Sequence, residues 1–205
     1  FIPMPIEETN IDIEVIDENI KEKKVLLLIV AVPKKIVEKI QTTVELAGLN
    51  PESIENELSS SSRFVSTFNK RILDQFKINN DRGIVLANFD VNSTSLVYFS
   101  PDKLIVKETH HLSIGYQLFL KETQVNTDTD MKKAEEILKT FDKKNPSSYP
   151  VNTIVQPLVK ELSNELKIFA AKYNPAVILF SNKIFLFPSL VTSLSDEIKF
   201  PIEIL

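Results

Sequence analysis

Apolar and polar residues alternate through NIDIEVID (10–17), where Ile11, Ile13 and Val15 mark the period of a half-buried strand. A charged turn, KEKK (21–24), leads into VLLLIVAV (25–32), an unbroken apolar run that reads as a strand buried on both faces. The two strands predict a hairpin. The period then becomes helical: Pro33 takes the first helical position, Ile36, Val37, Ile40, Val44 and Ala47 follow, and Gly48 stands where a left-handed C-cap belongs. ESIENELSSSS (52–62) reads as a further strand with a polar exit, which makes residues 1–60 a small β-β-α-β subdomain.

Residues 61–205 form the larger domain. SRFVSTFNKRILDQF (62–76) sets Phe64, Val65, Phe68, Ile72 and Phe76 on one helical face. Three apolar segments follow: GIVLANFD (83–90), TSLVYF (94–99) and LIVKETHHL (104–112). The links at 91–93 and SPDK (100–103) are too short for a parallel crossover, so these strands predict an antiparallel meander. Helices are predicted at about 115–123, 130–141 and 153–173. Pro157 sets the start of the last no earlier than about Thr153, because only early helical positions tolerate proline. AVILFS (176–181) is a short buried strand joining the same sheet, SLVTSLSDEI (189–198) a helix and IEIL (202–205) a final strand. The pattern is mixed α/β, with helices packed against one sheet.

Composition narrows the chemistry. With 43% hydrophobic and 25% charged residues the chain has the balance of a globular protein. A net charge of −4 argues against nucleic acid as a partner. The absence of cysteine excludes thiol chemistry, disulfides and cysteine-based zinc sites. The longest apolar run is far shorter than the ~20 residues that cross a bilayer, so direct membrane insertion is not expected. A first residue of Phe1 rather than methionine suggests a start inside a longer gene product.

The candidate sites are few. His110 and His111 are strand neighbours and point to opposite faces, so they do not share a metal. Glu135 and Lys139 form an i,i+4 pair on a solvated helix, and SSSS (59–62) reads as a linker or phosphosite. No catalytic triad or metal-spaced cluster is present, and no catalytic or metal-binding residue is assigned. LANFDVNSTSLVYF (86–99) is the segment with most to say. A strand runs into Asp90, turns over Asn92, Ser93 and Thr94, and re-enters as a strand, as a phosphate-gripping hairpin does. Such a loop uses glycine to bring backbone amides close to an anion, and none lies in this turn.

These segments resemble the PilM family of type IV pilus assembly proteins, actin-like relatives of the cell-division protein FtsA. The likeness covers almost the whole chain. It is carried by FIPMPIEETNIDIEVI, VLLLIVAVPKKIVEKIQTTVELAGLNPESIENE, DVNSTSLVYF, LSIGYQLFL, KKAEEILK and AVILFSNKIFLFPSLVTSLSDEIKFPIEIL. The resemblance implies one half of an actin-like (ribonuclease H-like) α/β fold carrying the small inserted subdomain. It also implies that Asp90, Asn92, Ser93, Thr94, Gly115 and Glu135 mark the nucleotide cleft. This sequence departs from the pattern at three places. Asn92 replaces the loop glycine, Leu138 takes the lysine slot of the Ala-Glu-x-x-Lys helix, and Asn182 and Lys183 replace a diglycine. Together they make the cleft vestigial, with no cofactor; ATP and Mg are the alternative, with Asp90 on the metal and Ser93 to Ser95 on the phosphate.

The expected function is a non-catalytic, cytoplasmic scaffold held at the inner membrane by its partners. Those partners would be the cytoplasmic tail of a PilN-like inner-membrane protein and other pilus assembly proteins, and a homo-oligomer is compatible with the reading. The rivals are an actin-like ATPase and a scaffold of type II secretion or cell division, similar to GspL or FtsA. The docking wall is expected on the helix at 33–47 and the strand at 25–32.

Overall fold

The computed structural model describes residues 4–19, 22–75, 81–101, 104–142 and 149–205. The chain divides into two compact units, Phe1–Phe68 and Asn69–Leu205.

In the first unit, β1 (Thr9–Asn19) and β2 (Lys24–Pro33) form an antiparallel hairpin. Its register sets Ile11 opposite Ala31, Ile13 opposite Ile29 and Val15 opposite Leu27. A two-stranded sheet has little to cover it, and the 25–32 run is therefore not buried on both faces: Leu27 is 45% exposed and Ile29 54%. Helix α1 (Lys34–Leu46) follows directly, with Pro33 as its N-cap rather than its first residue, so it begins one position later than the sequence pattern suggests. At its far end Gly48 has φ of 78°, and the amides of Gly48 and Leu49 donate to the carbonyls of Glu45 and Val44. That double bond is a Schellman cap, and it needs a residue at ease in the left-handed region.

The strand expected in 52–62 is absent. Residues 49–56 carry no strand, and α2 (Glu57–Thr67) begins where Asn56 accepts a hydrogen bond from the Ser59 amide at 2.7 Å. Asparagine at an N-cap starts a helix, and within that helix the serines 59–62 are part-buried rather than an open linker. The long helix expected over 62–76 is broken: α2 caps at Phe68, and α3 (Asn69–Gln75) starts again after it. Phe76 lies outside the described residues.

The second unit is built on one five-stranded sheet in the order β5-β4-β3-β6-β7. Strands β3 (Ile84–Phe89), β4 (Thr94–Phe99) and β5 (Val106–Leu112) are the antiparallel meander. Strand β6 (Val177–Asn182) runs parallel to β3, and β7 (Ile202–Ile204) parallel to β6. Of the turn at 100–103, Asp102 and Lys103 lie outside the described residues.

Helices α4 (Tyr116–Thr127), α5 (Met131–Leu138), α6 (Val151–Tyr173) and α7 (Pro188–Glu197) contribute to one core with Val85, Ala87 and Phe89 of β3 and with Ile178 and Phe180 of β6. Residues 84, 86 and 88 of β3 point the other way and are buried as well, so this strand is enclosed on both sides. Helix α6 starts at Val151, earlier than Pro157 suggests, and the proline sits inside it. It leaves the Thr153 carbonyl without its usual helical donor, a loss that an exposed position tolerates because water can take the bond.

Two interactions close the unit. Arg82 donates to the carbonyls of Asn174 and Pro175 just ahead of β6. Tyr98 stacks on Tyr173 with centroids 4.0 Å apart, while Tyr173 and Lys172 both donate to Glu108. His110 stacks near Phe169 and lies 3.6 Å from Glu165. His111, paired with Ser95, belongs to the opposite face of the sheet and is exposed. The two histidines therefore do point apart.

Candidate functional site

The candidate site lies at the carboxyl ends of β3 and β6, where open α/β sheets take their ligands. Strand β3 delivers Asp90 into the turn at 90–93, which closes when the Asp90 amide donates to the Ser93 carbonyl at 2.9 Å. Asp90 and Ser93 are half-buried, Asn92 is exposed and Thr94 is fully buried. Thr94 donates its hydroxyl to the Ile114 carbonyl at 2.6 Å, which ties the start of β4 to the segment leading into α4.

Gly115 caps that helix from an extended backbone. A Cβ there would stand 2.3 Å from the Ser93 nitrogen and 2.5 Å from the Asn92 carbonyl carbon. Backbone meets backbone at this point, and only glycine leaves room. The next two amides, of Tyr116 and Gln117, donate to the carbonyls of Asp90 at 2.9 Å and Val91 at 2.7 Å. A helix N-terminus ordinarily offers such amides to an anion. Here the turn itself takes two of them.

Glu135 stands on α5 and pairs with Lys139 at 2.9 Å. Its charge reaches Tyr116, whose hydroxyl is held above its ordinary pKa by burial first and by Glu135 second. That hydroxyl is buried with no hydrogen-bond partner among the described residues. The sequence pattern does not single out Tyr116; the one available signal is its place directly after Gly115. Asp90, Asn92, Ser93, Thr94 and Gly115 are thus brought together in one turn and its cap, and Glu135 neighbours them through Tyr116. Leu138, in the expected lysine slot, is buried in the core.

Asn182 ends β6 with φ of 70° and ψ of −129°. Glycine is at home there and an L side chain is strained. The backbone at 182 therefore keeps the conformation of a glycine without being one. Asn88 and Ser181 sit side by side on the paired strands, the Ser181 hydroxyl donating to the side-chain amide oxygen Oδ1 of Asn88 at 2.9 Å. Among the described residues no group of three His, Cys, Asp or Glu side chains could hold a metal ion, and no helix is long and apolar enough to cross a membrane.

No known family's sequence profile matches the chain, and no curated protein does. Solved structures do. The chain is similar to the PilM–PilN type IV pilus biogenesis complex, with a TM-score of 0.75 at 21% identity, over 100% of this chain and 58% of that one. It therefore spans a little over half the length of the protein it matches. Weaker similarities are to ethanolamine utilization protein EutJ from Carboxydothermus hydrogenoformans (TM-score 0.49, 13% identity, 61% of this chain and 44% of that one) and to an archaeal actin homolog (TM-score 0.46, 9% identity, 68% and 48%). The mixed α/β architecture of this chain, with its small additional unit, is PilM-like in its fold.

Proposed function

We propose that this chain is part of a non-catalytic, PilM-like scaffold for type IV pilus assembly, working on the cytoplasmic face of the inner membrane. It binds the short cytoplasmic tail of a PilN-like membrane protein. The observation that carries this reading is the fold match to a PilM–PilN complex along the entire chain. The turn at 90–93 supports the non-catalytic part, since two of the α4 amides that an anion would use are bonded to Asp90 and Val91. Asn92 further denies the turn the close backbone approach of a glycine. The residues present fit a nucleotide phosphate poorly.

Capture of the detergent-solubilised PilN-like partner by this chain tests the proposal. Retention that is competed by the partner's free tail is expected, and no retention would remove the pilus assignment. A second reading, an ATP-binding actin-like ATPase, draws on the glycine-like backbone of Asn182, which pairs with Phe89, the residue before Asp90. Calorimetry with Mg-ATP separates the two: micromolar binding abolished by Asp90→Ala would favour the ATPase.

A further inference from the structure

We propose that β5, an edge of the five-stranded sheet, pairs antiparallel with β5 of a second copy of this chain, the two-fold axis passing through Thr109. Strand β5 ends the sheet order, and among the described residues it pairs with β4 alone. The other edge, β7, is three residues long and offers little to pair with. The direction of the β5 main chain follows from the hairpin before it. The Asp90 amide donates to the Ser93 carbonyl. Alternation along the antiparallel ladder then turns the main-chain groups of Leu96 and Tyr98 toward β5, and those of their partners His110 and Glu108 toward β4. The N–H and C=O groups of Thr109 and His111 are thereby directed outward, where an added strand takes them.

The side chains make the occupant a second copy, because the strand is self-complementary about Thr109. In an antiparallel pair centred there, Glu108 meets the second copy's His110, His110 meets its Glu108, and Thr109 meets Thr109, all favourable cross-strand pairs. Glu108 has room for a further bond: Lys172 and Tyr173 both donate to its Oε2, and a carboxylate accepts at both oxygens. His110, its side chain 47% exposed, lies 3.6 Å from Glu165, beyond hydrogen-bond reach. Its ring N–H is therefore available to the added strand. Lys107 is the extra residue of a bulge opposite Tyr98 and Phe99, so the regular run is 108–112 and the approach of Lys107 to the second copy's His111 falls outside it. A register centred at His110 also fits that run. It sets His110 against itself and Glu108 against Leu112, and so loses both charge pairs.

Helix α6 adds an apolar contact at the same edge. Glu165, Phe169 and Lys172 reach β5. Ile168, 68% exposed, lies beside Glu165 and Lys172 on the flank turned away from the buried Leu162, Leu166 and Ala170. A two-fold axis normal to the sheet leaves α6 of both copies on one face, so each Ile168 flank faces the other copy. The contact is isologous, and it closes at two copies.

Sedimentation velocity on the whole chain over about 1–200 µM tests this. A reversible shift from monomer to dimer is expected. Thr109→Pro should abolish the shift and leave the melting curve in place, because proline at an outward-facing edge position removes a donor that β4 does not use. The chain has no cysteine, so a single introduced one reads the register. Thr109→Cys should cross-link two copies under mild oxidation, since residues facing each other at a hydrogen-bonded pair have Cα atoms about 5.5 Å apart, within disulfide reach. His111→Cys should not, because its two copies stand about 14 Å apart along the strands. A monomer across the whole range, a dimer indifferent to Thr109→Pro, or cross-linking at 111 in place of 109 would overturn the inference.

Discussion

Gly115 and Ser93 meet backbone to backbone: a Cβ on Gly115 would lie 2.3 Å from the Ser93 nitrogen. The partners in this contact are main-chain atoms, which cannot swing away as a long side chain does. Gly115→Ala must displace the turn at 90–93 or the start of α4, with a cost of about 1–3 kcal/mol, the range for overpacking a closed site. Urea denaturation of the variant should show a lower midpoint with an unchanged slope.

Thr94 tests whether this turn is a strut. Its hydroxyl is buried and bonded to the Ile114 carbonyl. Thr94→Val leaves that carbonyl unpaired and should cost about 1–3 kcal/mol. Thr94→Ser keeps the donor and should lose less. Equal losses from both substitutions would show that the methyl group, and not the hydrogen bond, matters.

Asn182 carries the opposite expectation. A non-glycine residue at φ of 70° and ψ of −129° is strained, and relief of that strain outweighs the added chain entropy of glycine. Asn182→Gly should therefore stabilise the chain by about 1 kcal/mol, and Asn182→Val should destabilise it. A thermal melt of the two variants reads both signs.

The acid limb of stability has a named contributor. Hydrogen bonds from Lys172 and then Tyr173 hold the Glu108 carboxyl below its usual range. A carboxylate lowered in the folded state contributes fully above its unfolded pKa, and the contribution is lost as pH falls through the lowered folded value. Stability should therefore decline from about pH 5 downward. Glu108→Gln should flatten that decline while leaving the slope near neutrality unchanged.

The meander was legible because its turns are too short for any other connection, and the strand at 177–182 because it is a compact apolar run after a long helix. The small unit was harder to read. Residues 52–62 hold few apolar positions, and the helix there is set by Asn56, a capping signal that competes with a weak strand pattern. The 25–32 run gave the right element and the wrong burial, because periodicity reports an apolar strand but not how many strands will cover it. In the candidate site, Asp90 through Thr94 and Gly115 could be found from the sequence. The bonds from Tyr116 and Gln117 into the turn could not, because backbone amides leave no residue signature.

Titration of the PilN-like partner's cytoplasmic tail into this chain, with and without Mg-ATP, tests the central claim most directly. The account predicts saturable binding with the same affinity in both conditions, since the proposed scaffold would not use the nucleotide cleft. Absence of binding, or binding that appears only with Mg-ATP, would contradict it.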